Sequence, residues 1–140
     1  MNNPVIVIVD ADAIIAQTIQ NDKHHKSATI ISNKLKSINA SVIYPMSAII
    51  ESATYIQRVL NDSFRAYNII QLASKAQYKI VEVNQHTLAG ALKYFNPRSS
   101  KKNTLFDCIV AAVAEENHAD AIFSFDGFYK KNGFKLASDL

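Results

Sequence analysis

Five consecutive β-branched residues, Val5-Ile6-Val7-Ile8-Val9, stop directly at an aspartate, Asp10. Such a run has no polar face. A strand made from it must be covered on both sides, which is the position of a central strand in a parallel sheet flanked by helices. The rest of the chain alternates to match. Ala28, Ile31, Leu35 and Ile38 recur at helical spacing and predict a helix over about residues 24–39. Residues 42–44 read as a short strand ended by Pro45, and Ser47 as the cap of a helix with the stripe Ile49, Ala53, Ile56 and Leu60. Asn61, Asp62 and Ser63 mark a break before a helix to about Ala76. Further strands are expected at 80–83 and 121–125, helices at 87–95 and 104–117, and a weak edge strand at 134–137. Strands separated by helices favour an α/β fold with right-handed parallel crossovers. A length of 140 residues suits one domain spanning 1–140 around a single core.

Four acids gain meaning from that arrangement. Asp10 and Asp126 end the apolar runs PVIVIV and AIFSF, while Glu51 and Asp107 stand near the starts of helical patterns. In a parallel sheet, strands end at one edge and the returning helices begin there. All four carboxylates can therefore converge at the carboxyl edge, where open α/β sheets build their sites. Converging carboxylates repel one another unless protons or a cation neutralise them. Each acid also has a bland role. Asp10 or, better placed, Asp12 can cap the next helix. Asp107 stands three residues after Thr104, a capping-box spacing, although its face is shared with Val110, Ala111 and Ala114 and should pack inward. Asp126 before Gly127 suits a turn. Glu51 lies opposite the Ile49/Ala53/Ile56 stripe with Thr54, Tyr55 and Arg58, so periodicity alone makes it solvated or salt-bridged.

Lys and Arg number 15 and Asp and Glu 12, for a net charge of +3. Taking the four site acids from the twelve leaves eight against fifteen, so the remaining surface is markedly basic. A basic surface around an acid cluster suggests metal-dependent chemistry on a polyanion. Residues 96–103, with Pro97, Arg98, two serines, Lys101 and Lys102, form a basic loop. The apolar start has no basic leader and is too short for a signal peptide or membrane span. The single cysteine, Cys108, suits a reducing compartment. The expected location is the cytoplasm.

These segments resemble the PIN-domain family, especially VapC-like ribonuclease toxins, over nearly the whole chain. VIVDADAII is similar to the family's first strand with its leading Asp, here Asp10, with Asp12 at a position that often holds a small polar residue. SAIIESATYI is similar to the segment carrying the family's Glu, here Glu51. TLFDCIVAAVAEENHADAIFSFD resembles the most specific block, an Asp, an Ala-rich helix, a short strand and Thr/Ser-x-Asp, which places Asp107, Ser124 and Asp126. FYKKNGF continues it with aromatic residues and a Gly, over a shorter spacer than the family usually has. No role is therefore carried to Phe128 or Tyr129.

The resemblance implies a three-layer nuclease fold with Mg²⁺ or Mn²⁺ held by Asp10, Asp107 and Asp126, Glu51 assisting at a second metal position. Ser124 would orient a carboxylate or a water. Hard divalent cations prefer such oxygen donors. Arg98, Lys101, Lys102, Lys130 and Lys131 would hold the RNA backbone. A toxin of this kind implies a small antitoxin, and the apolar residues of 47–76 (Ile49, Ile50, Tyr55, Ile56, Phe64 and Tyr67) would pack under it or in a homodimer. Other functions fit less of the chain. Asp10-Ala-Asp12 after a strand also resembles haloacid-dehalogenase-like phosphatases, but no catalytic Lys or cap is evident. A receiver domain needs an Asp near Asn84, and a dinucleotide-binding fold needs a G-x-G that does not occur. A housekeeping RNA-processing nuclease and a non-catalytic RNA-binding scaffold remain alternatives, although a scaffold has no need to crowd like charges. His24 and His25 are expected at the surface.

Overall fold

A computed structural model describes residues 3–98 and 102–140. Its element order is β1 (Ile6–Val9), α1 (Ala11–Thr18), α2 (His25–Ser37), β2 (Ser41–Pro45), α3 (Met46–Arg58), α4 (Ser63–Ala73), β3 (Lys79–Val81), α5 (Gln85–Ala91), α6 (Leu105–Glu116), β4 (Ala121–Phe123) and α7 (Phe128–Lys131), with a final 3₁₀ turn at Ala137–Asp139. The four strands form one sheet in the order β3-β2-β1-β4, and every pairing is parallel. Parallel neighbours cannot be joined by tight hairpins, which is why a helix intervenes at each step.

The β-branched run behaves as its composition requires. Val7, Ile8 and Val9 are fully buried. Alternation sends Val7 and Val9 to one face with Ala13, Ala28, Leu35 and Ile56, while Ile8 packs on the other with Ile43, Val110 and Val113. The sheet thus lies between a layer built from α1–α4 and a layer built on α5 and α6. In α6 the run Cys108–Ala114 is buried, which is why the helix is Ala-rich: small side chains allow close approach to the sheet.

Several boundaries differ from expectation for local reasons. A helix unassigned in the sequence, α1, follows β1 at once, and its cap is Asp10 rather than Asp12. The α3 helix begins at Met46, directly after Pro45, so Ser47 lies inside it, buried, and does not cap it. The break after α3 uses Asn61 in the left-handed region, φ 53°, followed by Asp62, whose Oδ1 accepts the Arg65 N–H at 3.0 Å and caps α4. The α5 helix starts at Gln85 because Asn84 caps it, its Oδ1 accepting the Thr87 N–H at 3.0 Å. The expected edge strand at 134–137 is reduced to a single parallel bridge between Leu136 and Ile122.

The strand order places a switch point at the carboxyl ends of β1 and β4. From β1 the chain turns into α1 on one face; from β4 it turns into α7, whose Tyr129 packs on the other. A crevice opens between connections that diverge in this way.

Candidate active site

Asp10 is the first residue past β1. Its N–H donates to the Phe123 carbonyl at 3.0 Å, which extends the β1–β4 ladder and fixes its place. The side chain is only 3% exposed. Its Oδ1 accepts the Ala11 N–H at 2.7 Å, and its Oδ2 accepts the hydroxyls of Ser124 at 3.1 Å and Tyr129 at 2.7 Å. Asp12, two residues further on, is also drawn inward. Its Oδ2 accepts the Phe125 N–H at 2.8 Å and faces Ser124 Oγ at 3.0 Å. Its Oδ1 is buried with no partner among the described residues. Ser124 Oγ also accepts the Asp126 N–H at 3.1 Å. One hydroxyl therefore ties three acids together, yet it has a single proton for the two carboxylates it faces.

Asp107 and Asp126 close the other side. The Thr104 N–H donates to Asp107 Oδ2 at 2.9 Å, so the acid satisfies the helix start and contributes to the cluster at once. Asp126 Oδ1 accepts the Phe128 N–H at 2.9 Å, a turn contact, and its Oδ2 accepts the Asn103 amide at 3.0 Å. Glu51 is half-buried rather than on a solvated face: α3 packs against both α1 and α6, and Glu51 shares a cavity with residues of each. Asp10, Asp12, Glu51, Asp107 and Asp126 line one cavity of about 170 Å³, together with Ala11, Ile15 and Tyr55. Among the described residues, no basic side chain lines it. A larger cavity of about 430 Å³, between α3 and α4, is apolar and lined by no carboxylate among the described residues.

The electrostatics follow from burial and crowding. Burial first, then the Asp12 charge, raises the Asp10 carboxyl well above its usual range, and the Tyr129 hydroxyl opposes this. Burial also raises Asp12, against the pull of the Phe125 N–H and Ser124. Glu51 is pushed up to about 7 by burial and by the charges of Asp107 and Asp12. Asp107 is raised by burial, with Asp126 adding to the shift and the Thr104 N–H, Asn103 and Tyr129 drawing it back. Crowded carboxylates of this kind take up protons or a cation.

The donor set suits a hard divalent cation, being all oxygen and all anionic, with the orphaned Asp12 Oδ1 among its atoms. Among the described residues, however, no group of three or more acids, histidines or cysteines is arranged to hold a metal ion as it stands. The carboxylates share a cavity but not a point. Asp10, Asp107 and Asp126 each already accept hydrogen bonds from protein donors.

A family model for the PIN domain matches residues 7–135, nearly the whole chain. The chain belongs to the PIN domain family. Among solved structures, this PIN domain is similar to the Mycobacterium tuberculosis toxin VapC20, described as cleaving the sarcin–ricin loop, with a TM-score of 0.76 and 16% identity over 91% of this chain and 95% of that one. At that identity the likeness speaks for the fold. No curated protein matches the sequence.

Two residues of this PIN domain's site had no signal in the sequence. Tyr129 is fully buried beneath Asp10, and Asn103 holds Asp126 from the basic loop. Only the fold brings either to the acids. The basic residues are more scattered. Arg98, Lys102 and Lys131 are exposed, Lys130 pairs with Asp139 at 3.2 Å, and Lys101 lies outside the described residues. The histidines are less exposed than expected: His24 stacks on Phe125 with ring centroids 4.3 Å apart, and His25 Nδ1 lies 2.7 Å from the Ala16 carbonyl.

Proposed function

We propose that this chain is a divalent-metal-dependent endoribonuclease acting as the toxin of a toxin–antitoxin pair, folded as one nuclease domain and working in the cytoplasm. The observation that carries this is the convergence of five carboxylates in one cavity at the switch point of a PIN fold. The described likeness to a toxin that cleaves the sarcin–ricin loop supports RNA as the substrate class. Asp10, Asp107 and Asp126 would hold Mg²⁺ or Mn²⁺, and Glu51 would serve a second metal position. A bound cation would neutralise charge developing on the phosphate and activate water for attack.

The protein's own residues do the rest. Ser124 orients Asp10 and Asp12 and receives the Asp126 N–H, so one hydroxyl links three of the acids. Tyr55 and Ile15 make the cavity wall partly apolar. Purified protein freed of any companion should cut RNA internally with Mg²⁺ or Mn²⁺ and stop when a chelator is added. Intact total RNA across a range of both metals would refute the assignment.

The basic loop and α7 flank the cavity in sequence, and Arg98, Lys101, Lys102, Lys130 and Lys131 are assigned to the RNA backbone. Replacing Arg98, Lys101 and Lys102 together by Gln should weaken RNA binding. On single-stranded RNA it should also lower the log–log salt slope by about 0.7 for every phosphate that the variant no longer neutralises. An unchanged slope in a filter-binding titration would leave the loop a solvated surface.

The apolar surface of α3 and α4 is assigned to the antitoxin or to a second copy of the chain. Ile49 and Ile56 are buried in the core, but Ile50, Tyr55, Phe64 and Tyr67 are exposed, Phe64 at 86%. They stand on the two helices that enclose the apolar cavity. Exposed apolar patches of this kind mark interaction sites.

A further inference from the structure

Tyr129 is fully buried, and its packing among Ile122, Leu136 and α6 would be served equally well by a phenylalanine. Its hydroxyl is what needs explaining. It ends 2.7 Å from Asp10 Oδ2, the shortest hydrogen bond that the described side chains of this site make with one another. Ser124 reaches the same oxygen at 3.1 Å. Ser124 has one proton to divide between Asp10 and Asp12, so Tyr129 is the closer donor on Oδ2. Oδ1 takes one hydrogen bond, from the Ala11 N–H, and keeps a lone pair. The Ala11 N–H from α1 and the Tyr129 hydroxyl from α7 thus hold one carboxylate oxygen each, which fixes the plane of the carboxylate and leaves Oδ1 able to accept more.

We propose that Tyr129 is a positioning residue for the nuclease site: its hydroxyl, with Ser124, occupies Asp10 Oδ2 and so presents Oδ1 as the atom through which Asp10 meets a divalent cation. This rests on the metal-dependent reading of the site. The ring arrives from α7, four residues long and placed by the turn that Asp126 itself makes with the Phe128 N–H. The acid nearest in sequence therefore sets the position of the side chain that orders the acid after β1. Partners that orient a ligand from behind are commonly worth ten- to a hundredfold in metal affinity.

The test is Mn²⁺ titration by calorimetry of the full chain and of Tyr129→Phe, with Tyr94→Phe as control. Tyr94 also donates to a carboxylate, Glu115 at 2.8 Å, but neither residue lines the acid cavity. Tyr129→Phe keeps the ring, so its thermal midpoint in chelator should stay within a few degrees of wild type. Its Mn²⁺ affinity should fall about tenfold or more, and its kcat on RNA should fall while KM for RNA holds. Tyr94→Phe should match wild type throughout. If wild type binds Mn²⁺ and Tyr129→Phe binds it equally, the role of Tyr129 is overturned while the metal site stands. If wild type binds no Mn²⁺, the metal reading and this proposal fall together. If midpoint, kcat and affinity all collapse in Tyr129→Phe, the hydroxyl is structural and the proposal is also wrong.

Discussion

Asp107→Asn should abolish Mn²⁺ binding and slow RNA cleavage severely while leaving the metal-free protein as stable as wild type or more so. The two halves of this expectation have one cause. Asp107 lines the cavity with four other acids, and its carboxyl is raised by burial and by Asp126. Removing its charge would take away a proposed cation ligand and relieve repulsion together. Asparagine keeps an oxygen that can accept the Thr104 N–H, now made at 2.9 Å, so the start of α6 survives. If a cation at this site stabilises the transition state by several kcal/mol, as proposed, loss of one ligand should slow cleavage by roughly 1,000-fold, or about 4 kcal/mol. Relief of one like charge near the surface should add up to about 1 kcal/mol. Calorimetry and a gel assay on RNA read the first half, and thermal melts in chelator at pH 8 the second. Unchanged Mn²⁺ affinity would remove Asp107 from the site. Asp10→Ala should lose cleavage as fully, but its metal-free stability is less clean, because the donors of Ala11, Ser124 and Tyr129 would all lose an acceptor.

Much of this arrangement was legible in the sequence because it depends on patterns the chain cannot hide. A β-branched run ending at Asp10 must be a central strand, and a central strand's carboxyl end is the switch point. Asp126 follows from the same logic on β4. Glu51 was misplaced by periodicity because its neighbours, Thr54, Tyr55 and Arg58, are exposed, whereas Glu51 itself shares a cavity with Ala11, Asp12 and Ile15 of α1 and Asp107 of α6. Helix periodicity reports which face meets the sheet and says nothing of a second packing partner at one end. The roles of Asp10 and Asp12 were exchanged for a related reason. Either can accept an N–H at the start of α1, and only the position of the β4 backbone draws Asp12 onto Phe125 instead. Tyr129 and Asn103 were silent because a phenol beneath a carboxylate and an amide beside one have no spacing of their own. They depend on how α7 and the loop before α6 return to the sheet edge.

The pH dependence of stability should carry the signature of the crowded acids, and it should reverse with metal. Asp10, Asp12, Glu51 and Asp107 all have folded values raised above their unfolded ones. A raised acid holds its proton more tightly in the fold, so its stabilising share is complete below the unfolded value and is lost as pH climbs through the folded value. For Glu51 that window runs from 4.5 to about 7. The aspartates begin theirs at 3.8 and extend it upward. In chelator, the thermal midpoint should therefore fall between pH 5 and pH 8. Allowing for its partial exposure, Glu51 alone should account for on the order of 2 kcal/mol. For a chain of this length that is a drop of roughly 5–8 °C. The exposed pairs work the other way. Asp62 and Glu115 are lowered by Arg65 and by Lys93 with Tyr94, so their contributions are lost only as pH falls toward and below 4. Glu51→Gln should flatten the slope between pH 5 and 7. Mn²⁺ at about a hundred times its pH 8 dissociation constant should add about 2.7 kcal/mol at pH 8, where the carboxylates are ionised, and the same concentration should add far less at pH 5. A metal-free midpoint that rises steadily from pH 5 to pH 8 would mean that the five acids do not share one repulsive field, and the nuclease site would lose its physical basis.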